Sequence, residues 1–306
     1  MHCLVYGAGA VGLYTAAALA RGGVPVTLKA RSASADPLTL VRGERHEEVG
    51  DVRIVDDLAG HGPFDWAIVA TKAWQVTDAA REIVPVLRPG PGRILTVQNG
   101  VDAPEHVRGV AGTAATLAGT VVVIARRLAP SAVELVGADA SITLGYLDHR
   151  DVDEGAAVVL EGLAAAGISA SWTARVDVAL WKKLALVASY GGVGALSGAT
   201  VGETRAVPEA RALVERAVQE VLAVARAHEV PLTDDDLADV LAVYDGFAPE
   251  TTASMQRDLA EGRPSELADQ NGAVVAHGRL LGVDTPVHET IFASQLPRER
   301  SARGTA

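Results

Sequence analysis

The chain has 306 residues, enough for one large or two ordinary domains. Hydrophobic residues make up 49% and charged residues 21%, a globular balance that argues against disorder; aromatic residues are only 4%, so the core must be built from Ala, Val and Leu. The formal charge of −11 excludes a general nucleic-acid binder, and a single cysteine, Cys3, excludes an intrachain disulfide and a cysteine-built zinc site.

Two uncharged stretches, 109–125 and 184–202, approach the length of a membrane span. They are crowded with Gly, Ser, Thr and Ala and read as buried core, so no membrane partner is expected. The N-terminus has no basic segment ahead of its apolar run, so no signal peptide is expected either, and the location fits the cytoplasm.

Residues 2–6 form an apolar strand that runs into Gly7, and residues 11–21 read as a helix rich in Ala and Leu. Residues 24–29 are a second strand. Residues 65–71 and 93–97 are further apolar runs of strand length, with helical periodicity over 73–87 between them. Strand, helix and strand repeated in this way predict a parallel sheet covered on both faces. From Ala115 the character changes: 120–124, 132–136 and Ser141–Gly145 are strands on short links, an antiparallel extension. A helix over 151–166 and a last strand, Ser169–Trp172, follow.

After about Ala174 nearly everything reads as helix. Over 208–228, Leu213, Ala217, Val218, Val221, Leu222 and Ala225 share one face. Helices over 234–243, 265–281 and 287–296 follow, with Thr233 and Asp234 as a cap region. The charged tail 297–306 is expected to fray. The reading is an α/β domain over 1–173 and an all-α domain over 174–306.

Gly7-Ala8-Gly9-Ala10-Val11-Gly12 directly follows a strand and opens a helix inside a βαβ unit. In that context G-x-G-x-x-G predicts a dinucleotide site. Gly7 allows the tight turn, Gly9 lets the backbone approach a pyrophosphate at the positive helix N-terminus, and Gly12 permits close helix–strand packing. At the end of the second strand an acid would bind the ribose hydroxyls of NAD. The sequence there is Lys29-Ala30-Arg31-Ser32, with no acid before Asp36. Arg31 and Ser32 suit a 2′-phosphate instead, so NADP is expected over NAD.

Thr71-Lys72-Ala73-Trp74-Gln75 and Gln98-Asn99-Gly100 stand at the C-terminal ends of parallel strands, where open α/β sheets bind ligands. Lys72 is placed for cofactor phosphate or ribose. Asn99 offers a donor and an acceptor to the nicotinamide side or the substrate, although Asn-Gly alone reads equally well as a plain turn. Ile124, at the end of its strand, is counted with the cofactor-binding residues.

Over residues 176–190, Lys183 is followed directly by an apolar run. A lysine so placed on a helix is partly desolvated, with its pKa drawn toward neutrality, and can serve as a proton donor. Lys182, about 100° around the helix, is expected in solvent. The eight histidines are scattered, with no metal-binding spacing, and no metal is expected.

These segments resemble the ketopantoate reductases (2-dehydropantoate 2-reductases) over nearly the whole chain. The resemblance rests on the glycine motif, Thr71-Lys72-Ala73-Trp74-Gln75, Asn99-Gly100, Leu180-Trp181-Lys182-Lys183-Leu184-Ala185 and Ser254-Met255-Gln256-Arg257-Asp258. It extends to Ser265-Glu266-Leu267, Asn271-Gly272 and Gly282-Val283-Asp284-Thr285-Pro286.

It implies an N-terminal Rossmann domain joined to an all-α domain of the 6-phosphogluconate-dehydrogenase type, with NADPH and a 2-oxo acid meeting in the cleft between them. It implies that Lys183 protonates the carbonyl oxygen as hydride arrives, that Glu266 contacts the cofactor and positions the reacting groups, that Ser254 holds the substrate carboxylate, and that Asn99 contacts cofactor and substrate. A homodimer is implied as well.

The family's asparagines downstream of the lysine are missing here: Val187, Gly191 and Val201 stand at those positions. Tyr190, nearly two turns after Lys183, lies on the same helix face, either as a substrate-binding hydroxyl or as a core tyrosine. Gly191, Gly192 and Gly194 suggest a roomier backbone there. Three functions follow: ketopantoate reduction; reduction of another 2-oxo acid, ketone or imine; or a non-catalytic dinucleotide-binding, redox-sensing protein.

Overall fold

Strand β1 (Cys3–Tyr6) is an inner strand of an eight-stranded sheet in this computed structural model, which describes residues 1–304. The elements that follow are α1 (Ala10–Arg21), β2 (Val26–Lys29), β3 (Leu38–Arg42), β4 (Arg45–Val49), β5 (Val52–Val55), β6 (Trp66–Val69) and α2 (Val76–Ile83). Then come β7 (Arg93–Thr96), α3 (Ala103–Ala111), β8 (Thr116–Val122), β9 (Ala125–Ala129), β10 (Ala132–Leu135), β11 (Ser141–Gly145), α4 (Glu154–Ala165) and β12 (Ser169–Trp172).

The large sheet has the order β12-β11-β8-β7-β6-β1-β2-β5. All its neighbours are parallel except β8 and β11. The run β5-β2-β1-β6-β7-β8 is the Rossmann order, and the order reverses between β1 and β6, the point where such sheets bind ligands.

The antiparallel extension is smaller than expected. β8 starts at Thr116 and stops at Val122, so Ile124 lies outside it. Residues 132–136 leave the large sheet altogether. β10 pairs with β9 and runs parallel to β3 in a second sheet of order β4-β3-β10-β9. The reason is α1. Every residue from Gly12 to Leu19 is buried, and a helix apolar all round needs cover on more than one side. Cys3, Val5 and Leu28 of the large sheet and Leu38, Leu40, Val133 and Leu135 of the small one share a core with it. The helix expected over 151–166 begins at Glu154, because Asp153 caps it by accepting from the Ala156 N–H at 2.8 Å.

The rest of the chain is helical: α5 (Val176–Ser197), α6 (Val201–Ala206), α7 (Pro208–Ala227), α8 (Asp234–Gly246), α9 (Ser254–Ala260), a π-helical turn (Ala268–Gly272), α10 (Ala273–Leu281) and α11 (Pro286–Arg303). By contacts the chain forms two units: Met1–Gln98 with Ala103–Val176, and Asn99–Asp102 with the residues from Asp177 onward. The four-residue segment carrying Asn99 thus groups with the helices.

Two expectations need correction. The helix over 265–281 starts only at Ala268, and with a π turn. The Asn271 amide explains the interruption, since its Nδ2 donates to the Ala188 carbonyl at 3.0 Å and to His288 Nδ1 at 2.9 Å. The tail does not fray: α11 continues through Pro297 to Arg303, held by the buried Glu299. Residues 305 and 306 of that expected tail lie outside the described residues.

Candidate active site

The loop after β1 is shaped by close approach. Gly7 has φ +114°, and a Cβ there would stand 2.9 Å from the Thr71 amide nitrogen; a Cβ at Gly12 would stand 1.8 Å from the Gly7 carbonyl oxygen. At Gly9 the nearest neighbour is 3.9 Å away, so a side chain there would fill open space in front of α1. Gly9 is the N-cap of that helix, with no side-chain cap and no acid in the first turn. The N–H groups of Ala10, Val11 and the residues beside them are therefore set for an anion. Nearby, Thr71 Oγ1 and Gln98 Oε1 are buried without hydrogen-bond partners, although Gln98 Nε2 donates to the carbonyls of Val69 and Thr71 at 2.7 and 3.0 Å. Backbone donors, a space at Gly9 and two orphaned buried oxygens at the switch point fit a dinucleotide.

Arg31 and Ser32 lie exposed just beyond β2, and Lys72 precedes a short 3₁₀ turn, Ala73–Gln75. Ile124 is 63% exposed between β8 and β9, a solvent-facing apolar side chain rather than core. Asn99 is half-buried in the tight turn that follows β7. Gly100 has φ +116°, and a Cβ there would meet the Asp269 carbonyl oxygen at 2.7 Å. Only glycine serves at that position, and the turn is held close to the π-helical segment.

Lys183 and Glu266 come together in the helical unit. Desolvation lowers the Lys183 pKa to about 8, and the Glu266 charge pulls it back up. Glu266 is itself buried, two residues before the π turn. Lys182 is not in free solvent: its ammonium donates to Asp236 and Asp239, both at 2.8 Å. Partial burial lowers its pKa and the two carboxylates raise it, with a net increase.

Tyr190 follows on the same face of α5, its ring 5.3 Å from Phe247 and 6.4 Å from Tyr244. Burial raises its pKa, so the phenol stays protonated at neutral pH. Ser254 is half-buried at the first position of α9 and is not the cap. Ala253 takes that place, its N–H donating to Gln256 Oε1 at 3.3 Å.

The glycines after Tyr190 do not make room. A Cβ at Gly191 would stand 2.6 Å from Ala253 Cβ, and one at Gly194 would meet Gln256. Their hydrogens let α9 lie against α5. Val201 is buried among Val214, Tyr244 and Met255 in the core of the helical unit.

One cluster escaped sequence reasoning. His277 Nε2 donates to Asp102 at 2.8 Å, and His277 Nδ1 is 2.8 Å from His228 Nε2. The indole of Trp181 lies 5.5 Å from the His228 ring and 5.7 Å from the His277 ring. No spacing announces this grouping, because Asp102 and His277 are 175 positions apart.

Comparison with known proteins accords with this geometry. The family "Ketopantoate reductase PanE/ApbA" matches residues 3–149, and its C-terminal family, "Ketopantoate reductase PanE/ApbA C terminal", matches residues 175–295. A 2-dehydropantoate 2-reductase of Mycobacterium tuberculosis is 31% identical over 303 residues, covering 93% of each chain; one of Caulobacter vibrioides is 32% identical over 238 residues, 76% of each. The crystal structure of a PanE/ApbA family ketopantoate reductase from Ralstonia eutropha superposes with a TM-score of 0.87 at 27% identity, covering 99% of this chain and 100% of that one. An α/β unit of Rossmann order followed by an all-α unit is the 6-phosphogluconate-dehydrogenase-like architecture of those proteins. The chain belongs to the ketopantoate reductase family, whose members are pyridine-nucleotide-dependent oxidoreductases.

Proposed function

We propose that the protein is an NADPH-dependent reductase that converts a 2-oxo acid to the 2-hydroxy acid. The observation that carries this reading is the desolvated Lys183 beside Glu266, with a pKa of about 8. NADPH, when bound, supplies the hydride to the carbonyl carbon. Lys183 gives its proton to the carbonyl oxygen and, as an ammonium, stabilises the negative charge developing there. Glu266 keeps that ammonium protonated near neutral pH and orients it. Ser254 and the neutral Tyr190 phenol offer hydroxyls to the substrate, and Asn99 offers its amide to cofactor and substrate. Gly7 to Gly12, Lys72 and Ile124 hold the cofactor.

Arg31 and Ser32 are assigned to the 2′-phosphate, since among the described residues Arg31 forms no ion pair. Arg31→Ala should weaken NADPH binding by about tenfold, the worth of one charge-assisted bond, and leave NADH nearly unchanged. Fluorescence titration with both nucleotides checks this, and an equal loss for both would remove the assignment. A homodimer in the cytoplasm is proposed on the family resemblance; among the described residues no helix is long and apolar enough to cross a membrane.

One observation favours a substrate other than ketopantoate. Val187, Gly191 and Val201 stand where the family's asparagines are expected. Gly191 has its side-chain space filled by Ala253, and Val201 is core. A pocket lacking those amides discriminates poorly for a hydroxylated substrate. NADPH oxidation across a panel of 2-oxo acids, ketopantoate included, tests both readings. Preference for another acid is expected. A kcat/KM on ketopantoate of roughly 10⁴ M⁻¹s⁻¹ or more would restore it as the substrate. NADPH binding without turnover of any acid would leave only a sensing role.

A further inference from the structure

Two elements that carry proposed site residues meet at the imidazole of His277. Asp102 ends the four-residue segment that begins with Asn99. Trp181 is two residues before Lys183 on α5. His277 itself sits on α10, which continues directly from the π turn after Glu266.

The hydrogen bonds give the cluster a direction. The Asp102 carboxylate only accepts, so His277 Nε2 carries a proton. Its Nδ1 shares a hydrogen bond with His228 Nε2 at 2.8 Å. Burial lowers the His228 pKa first and the neighbouring His277 lowers it further, against the pull of Asp102. Trp181 walls both rings, edge-on to His277 and tilted over His228. The chain His228 to His277 to Asp102 is therefore a hydrogen-bonded strut, not a pair of surface imidazoles. Its far end is a residue three positions from Asn99, across a turn whose Gly100 is held close to Asp269.

We propose that His277 is a positioning residue for the reduction: through Asp102 it fixes the Asn99–Asp102 turn and so the direction of the Asn99 amide. This rests on the role given to Asn99 above. His277 touches neither reacting group; it acts through the turn. His277→Leu keeps the bulk of the ring and removes both nitrogens. His277→Gln retains an N–H able to reach Asp102.

Two measurements test this. Hydrogen exchange of the protein alone, read on peptides covering residues 99–102, should quicken about tenfold in His277→Leu, the effect of losing one hydrogen bond to a charged group. It should return toward the original rate in His277→Gln. Unchanged exchange in His277→Leu overturns the proposal whatever the enzyme reduces.

The second measurement is kcat with NADPH and the best acid of the panel. His277→Leu should lower kcat about tenfold in the original chain and not at all in an Asn99→Ala background, since the turn then has nothing to orient. Multiplying effects of the two substitutions would make His277 merely structural and overturn the proposal. Failure of the reductase reading looks different: no acid is reduced, and the exchange result alone then decides whether His277 holds the turn.

Discussion

Lys183→Ala should lower kcat by about 10³ or more while changing NADPH affinity by less than about threefold. Positioned proton transfer contributes roughly 10²–10⁴, and stabilising charge on the developing alkoxide a comparable factor. Both belong to one ammonium here. The cofactor's phosphates are assigned to the glycine loop, Arg31 and Lys72, none of which the substitution touches. A loss below about tenfold would remove Lys183 from the mechanism.

The pH dependence gives an independent check. Lys183 donates only while protonated, and its pKa lies at about 8. Activity should hold below that pH and fall as pH rises through it, tenfold per unit at the limit. Glu266 is the charge that raises this pKa. Glu266→Gln should therefore move the falling limb to lower pH, as well as lowering the rate. An alkaline limb unmoved by Glu266→Gln would separate the two residues.

The nucleotide-binding half of this assembly was legible because its signal is local. Gly7 to Gly12 are read where a strand ending at Tyr6 gives way to a helix starting at Ala10, and backbone sterics admit few other outcomes. Lys183 was legible for a similar reason, a lysine set against an uncharged helical run. The small sheet was not. β4 reads Arg-His-Glu-Glu-Val, with its apolar end only at Val49, and its partner β3 is five residues long. Its existence follows from the other face of α1, a helix whose buried residues leave no solvent side, and that demand appears only once the large sheet has been placed. The glycines of α5 misled in the opposite sense: absent side chains suggested space, but Ala253 and Gln256 occupy it. The His277 cluster and the Asn271 contacts join residues far apart in sequence, where periodicity carries no information.

Glu299→Ala should destabilise the helical unit by about 3 kcal/mol or more, a fall in Tm of roughly 6–12 °C. Glu299 is 3% exposed near the end of a segment whose composition suggests fraying. Its carboxylate accepts from the Ser265 N–H at 3.0 Å and from Ser265 Oγ at 2.6 Å, and it pairs with Arg303 Nε at 2.5 Å. Arg303 also donates to the Ser265 carbonyl at 2.9 Å. Three of these bonds clamp the backbone and side chain of the residue directly before Glu266, in a stretch with no helix to hold it, and the fourth ties the two clamping side chains together. Removing the carboxylate leaves the Ser265 N–H and hydroxyl buried without their acceptor and Arg303 without its anion, which is the costly way to break a buried pair. The loss should extend to catalysis. With Ser265 released, Glu266 is less well fixed beside Lys183, so kcat should fall even at temperatures where the variant is fully folded. Glu299→Gln keeps an acceptor for Ser265 and should recover more of kcat than of stability. Calorimetry and kcat measured together on both variants decide the matter: a Tm within about 2 °C of the original would show that the tail does not clamp this site.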